Sequence, residues 1–193
     1  PAVTPTTKPT QPTANSGFNL STALPSEGFY PPKIGNAAVY ISRVDKTGLA
    51  IGYEYFHENQ YIGKFRGKGY LRFECPAGEH LFWSSSENKE FITTVLEADK
   101  IYIIQATQTI GAWKSHVALR GITRADDKVL NQIIKVVNSE PATHIPEAEL
   151  RAINTKMKRF IEKELDRYYN KTKAIYNFKH VAADAYVLLE DLK

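Results

Sequence analysis

Residues 69–86 read GYLRFECPAGEHLFWSSS. Side chains alternate between the two faces of a strand, so Leu71, Phe73 and Cys75 point one way and Tyr70, Arg72 and Glu74 the other. Pro76 cannot donate to a sheet ladder and Gly78 tolerates a positive φ, so the chain turns at Pro76-Ala77-Gly78. On the return, Leu81 and Trp83 share one face, His80 and Phe82 the other. The pattern predicts a β-hairpin. Two strands cannot bury an apolar face by themselves, so a second layer has to cover it.

Working outward, short apolar-rich stretches flank this pair on both sides. Residues 37–43 (AAVYISR), 49–56 (LAIGYEYF) and 60–66 (QYIGKFR) precede it. Leu49, Ile51, Tyr53 and Tyr55 fall on one face of the second stretch. Residues 91–96 (FITTVL), 101–107 (IYIIQAT) and 117–122 (VALRGI) follow it, the middle one apolar enough to be a central strand. Turn residues separate them at His57-Glu58-Asn59, Gly67-Lys68-Gly69, Asn88-Lys89 and Asp99-Lys100. Seven or eight short strands at this spacing predict an antiparallel β-sandwich.

After Thr123 the period becomes helical. Residues 126–138 place Val129, Leu130, Ile133, Ile134 and Val137 on one stripe. Pro146-Glu147-Ala148-Glu149 opens a longer helix, with Pro in the first turn and acids at the positive end of the dipole. Its stripe is Leu150, Ile153, Met157, Phe160, Ile161 and Leu165. Residues 180–192 read as one more amphipathic helix. The expected class is therefore α+β, in three parts. Residues 1–33 form a Pro/Thr-rich tether and an irregular segment, 34–124 the sandwich, and 125–193 a helical appendage packed on or beside it.

Composition narrows the function. The formal net charge is +4 and the pI about 9.0, but no compact basic block marks a nucleic-acid footprint. With one cysteine, no intrachain disulfide can form. No run of 18 apolar residues predicts a membrane helix.

An ordered set of features resembles the DUF2846 type of bacterial domain, found in lipoproteins. It runs from a strand like Ala38-Val39-Tyr40-Ile41-Ser42-Arg43 through Tyr61-Ile62-Gly63-Lys64-Phe65 and a Pro-x-Gly-x-His turn (Pro76 to His80). It ends with Leu96-Glu97-Ala98 and Lys100-Ile101-Tyr102-Ile103. The similarity covers under half the chain. The glycine expected before Lys100 is absent, and the helices beyond Asp126 lie outside the pattern. The resemblance implies a β-sandwich, a cell-envelope location on the periplasmic side of a membrane or the outer surface, and no particular activity. It implies further that a signal peptide and a lipidated cysteine preceded this chain, residues 1–13 then being the tether to the membrane.

Candidate chemistry is sparse. His57, His80, His116, His144 and His180 show none of the short ligand spacings of metal sites, so neither metal nor cofactor is expected. Cys75, on an inward face, reads as a buried thiol. Ser84, Ser85 and Ser86 lack the context of a nucleophile elbow. Neither phosphate-loop nor dinucleotide glycine motif occurs. Two features invite binding. Tyr53, Tyr55, Tyr61, Tyr70 and Trp83 would form a sugar-stacking platform if exposed and coplanar. The stripe of the long helix would join a protein partner or a second copy of the chain. The expectation is thus a non-enzymatic envelope lipoprotein module for interaction or assembly, with a carbohydrate-binding module as the alternative and a hydrolase third.

Overall fold

The computed structural model describes residues 27–45, 52–110, 115–176 and 179–193. Its elements are β1 (Asn36–Arg43), β2 (Gly52–His57), β3 (Gln60–Arg66), β4 (Gly69–Pro76), β5 (Gly78–Ser85), β6 (Lys89–Leu96), β7 (Ile101–Ile110), β8 (Ser115–Ile122), α1 (Asp127–Val137), α2 (Glu147–Arg167) and β9 (His180–Val181). A π-helical turn, Tyr168–Thr172, and a 3-10 turn, Lys173–Tyr176, prolong α2. The predicted tether falls outside the described residues, as do residues 49–51 of the second predicted strand.

Two sheets stack face to face. The first has strand order β4-β1-β7-β8, the second β3-β2-β5-β6-β9. The fold is the α+β sandwich expected, but its sheets are mixed and not purely antiparallel, since β1 runs parallel to β7 and β6 to β9. The predicted hairpin at residues 69–86 does not form. β4 pairs with β1, whereas β5 pairs with β2 and β6. At Pro76–Gly78 the chain crosses from one sheet to the other, with Gly78 at φ 139°. A turn signal marks a change of direction but does not specify which strands pair.

The two inner faces make the central core, which includes Val39, Ile41, Tyr53, Tyr55, Leu71, Phe73, Cys75, Phe82, Tyr102 and Ile104. Both outer faces are apolar too, and each is covered. Leu130, Ile133, Val136 and Val137 of α1 pack on Ala38, Tyr40, Ile101 and Ile103 of the first sheet. On the second sheet, Phe56, Tyr61, Leu81, Trp83 and Phe91 receive Leu150, Ile161 and Tyr168. The helices are therefore packed on the sandwich as its outer layers, one on each side.

The tail departs from its predicted helix. His180–Val181 adds a short strand to β6, Val187 bridges to Ile101, and only Leu189–Leu192 is helical, as a 3-10 turn. Gly121 explains the seat of Val181: a Cβ there would lie 2.8 Å from Val181 Cγ2. The periodic apolar residues of this tail fill gaps in two cores instead of lining one helix.

Candidate functional site

The five aromatics proposed as a sugar platform are all buried and do not share a face. Tyr53 and Tyr55 point between the sheets, Tyr70 lies under α1, and Tyr61 and Trp83 lie under α2. Trp83 stacks on Phe56 at 3.8 Å and donates its indole N–H to the Glu58 carbonyl at 2.9 Å. The period of two was correctly legible, but a strand covered on both sides offers no free face for stacking. The platform is withdrawn on these grounds.

The stripe of the long helix is largely covered by the second sheet. Leu150 and Ile161 are buried in the second sheet's outer core, and Ile153, Met157, Phe160 and Leu165 pack half-buried against it. The stripe is spent largely inside the chain. What remains open lies at its margin, where α2 passes the edge strand β3.

A groove of about 730 Å³ runs there, with apolar Tyr61, Phe65, Ile153 and Met157 and charged Glu54, Lys64, Arg66, Glu149 and Lys156 in its lining. β3 ends the second sheet, so no strand among the described residues pairs with its outer edge. One residue of α2 does meet that edge. The Tyr61 backbone N–H donates to Asn154 Oδ1 at 2.8 Å, and Asn154 Nδ2 donates to the Tyr61 carbonyl at 3.0 Å. The primary amide thus satisfies one N–H and one C=O of the strand, the groups a neighbouring strand would satisfy. Toward Arg66 the edge borders the groove. Lys64 bridges to Glu54 at 3.4 Å, while Arg66 and Lys156 are exposed at the rim. The edge of the first sheet on the same side, β4, differs, because its Tyr70 carbonyl accepts a hydrogen bond from the Thr143 backbone N–H.

A second constellation sits at the end of the sandwich where β4 crosses to β5. His57, Cys75 and His80 bring one ligand atom each to within 4.8 Å of one another. Sequence reading expected no metal and did not bring His57 to the other two. The register assembles them: Cys75 is the last inward residue of β4, and His80 is an inward residue of β5. His57 ends β2 opposite Phe82. His57 and Cys75 are buried and His80 is half-buried. A signal was present. His57 continues the phase of Tyr53 and Tyr55, and His80 that of Phe82, so all three belonged on inner faces.

The hydrogen bonds fix the proton positions. The Pro76 carbonyl can only accept, so His80 Nε2, at 2.8 Å from it, carries the proton. His80 Nδ1 is then a lone pair facing His57 Nε2 at 2.9 Å, and His57 donates. Burial, then the neighbouring His80, lowers the His57 pKa to about 3, so it stays neutral. Burial, then the charges of Glu74 and Glu58, pushes the Cys75 thiol up to about 12. A thiol held in that state is a poor nucleophile at neutral pH.

No family model matches this chain, and no curated protein matches it.

Proposed function

We propose that this chain is a non-enzymatic interaction module of the cell envelope, and that its contact surface is the free edge of β3 with the groove beside α2. The envelope location rests on the resemblance of residues 48–119 to lipoprotein domains. In that reading a lipid anchor preceding residue 1 holds the domain at a membrane.

One observation carries the interaction reading. Asn154 already occupies the outward N–H and C=O of Tyr61 as a paired strand would, and the edge beyond it borders a groove of mixed apolar and charged lining. The occupant that fits is an extended segment of a partner protein. Its main chain continues the ladder along β3. Alternate apolar side chains enter among Tyr61, Phe65, Ile153 and Met157, and an acidic side chain meets Arg66 and Lys156.

The test selects peptides from a random library displayed against the full chain. Binders are expected to combine alternating apolar residues with at least one acid. Met157→Glu places a charge in the groove and is expected to weaken them by at least about 10-fold, or roughly 1.4 kcal/mol, with an unchanged circular dichroism spectrum. Binding indifferent to Met157→Glu and to Ile153→Glu contradicts the assignment. A dimer that the same substitutions dissociate contradicts it too, in favour of a second copy as occupant.

A further inference from the structure

We propose that His57, Cys75 and His80 form a zinc site at the end of the sandwich, between the two sheets. It stands independently of the groove.

The donor set comes first. Two imidazole nitrogens and one sulfur suit zinc or another thiophilic ion and not magnesium or calcium, which prefer oxygen. In a tetrahedral site the Zn–N distances of about 2.0–2.1 Å and Zn–S of about 2.3 Å place donor atoms roughly 3.3–3.7 Å apart. Here His57 Nε2 and His80 Nδ1 are 2.9 Å apart, and no pair among the three donors exceeds 4.8 Å. Small side-chain shifts therefore bring all three to a common ion. The three donors come from three strands in two sheets, and the register of those strands holds them together without metal.

The surroundings match a ligating histidine. His80 donates its outer N–H to the Pro76 carbonyl, the kind of bond that orients a metal-binding imidazole and leaves its other nitrogen free. Pro76 directly follows Cys75, so the chain that supplies the sulfur also aims the ring. Phe73 and Phe82 flank His57, with ring centroids 4.7 and 4.9 Å away. These apolar walls keep water from the core side and strengthen charge interactions within. On the other side the turn residues Pro76, Ala77 and Gly78 are exposed, which gives an ion a path to His80.

Charge balance favours a dication. Binding exchanges the thiol proton of Cys75 for the metal, and that proton leaves to solvent. The His57 ring passes its proton from Nε2 to Nδ1, freeing Nε2 to ligate. The thiolate then carries one negative charge, and Glu58 is near enough to His80 and Cys75 to interact electrostatically with both. Its Oε1 accepts the Leu81 N–H at 2.7 Å, which holds it beside the cluster. Thiolate and carboxylate together offset the two charges of Zn²⁺.

The experiment uses the full chain stripped with a chelator and freed of it. Zn²⁺ is titrated against a chromophoric competitor, and Co²⁺ serves as the spectroscopic reporter. One equivalent is expected to bind, and Co²⁺ to show a thiolate charge-transfer band. Cys75→Ser should remove that band. His80→Gln, at the half-buried position, should weaken Zn²⁺ at least about 10-fold. His144→Gln, at an exposed histidine, should change nothing. If zinc fails to bind, or binds the folded His80→Gln variant as it does the parent, the site is refuted. If Cys75→Ser loses its fold, His80→Gln alone decides.

Discussion

His57 has no partner by sequence spacing, yet in the fold it shares a hydrogen bond with His80 and packs on Phe73 and Phe82. Its phase along β2 was readable from Tyr53 and Tyr55. Its neighbours were not, because they depend on which strands meet at the sandwich end. The burial that hides the ring has a consequence for stability. In the unfolded chain His57 takes up a proton near pH 6.5, but in the folded chain only near pH 3. The groups facing it are His80 and Cys75, with Glu58 beside them. Between those two pH values the unfolded state binds a proton that the native state refuses, so stability falls as pH drops from about 6.5 to about 3. At roughly 1.4 kcal/mol per pH unit the loss is at most about 5 kcal/mol. Urea midpoints measured across this range in chelator-containing buffer are expected to fall less steeply for His57→Gln than for the parent. Equal slopes would contradict the assignment of this loss to His57.

At the scale of elements, strand positions were legible and strand pairing was not. β3 spans the predicted residues, and β1, β6, β7 and β8 lie within a few residues of expectation. The alternation that locates a strand is local, whereas the choice of partner is set by contacts far along the chain. The crossing at Pro76–Gly78 therefore looked like a hairpin turn. Helices raised the opposite difficulty. The stripes on α1 and α2 were plain, but a stripe does not say whether it faces its own sheet or a partner. The structure assigns both to the sheets. A chain ending at Arg124 would uncover Phe56, Leu81, Trp83 and Phe91 on one side and Tyr40, Ile101 and Ile103 on the other. Burying a large apolar side chain is worth about 1.5–3 kcal/mol, so either face alone approaches the whole stability of a typical domain. The truncated chain is expected to be unfolded or aggregated by light scattering and circular dichroism, where the full chain is folded. A folded, monomeric truncation would contradict the layered reading.

Across the whole molecule, four layers follow one another: α1, the first sheet, the second sheet, α2. This order turns both sheets into buried sheets. It explains why strands such as β1 are apolar on both faces and why none of the five candidate aromatics is free. Composition hinted at this through the abundance of Tyr and Phe, but only the tertiary arrangement shows that covering the sheets consumes them. The surfaces left for recognition are therefore at margins. Among them the β3 edge has a groove with apolar and charged lining, exposed Lys64, Arg66 and Lys156, and one helix amide already bonded to its backbone. The most direct measurement is an amide-shift map of the isotope-labelled full chain, titrated with a peptide selected against it. The account predicts the largest changes at Lys64, Phe65 and Arg66 of β3 and at Ile153, Lys156 and Met157 of α2. Changes concentrated instead along β4 or β8, with β3 unmoved, would contradict it.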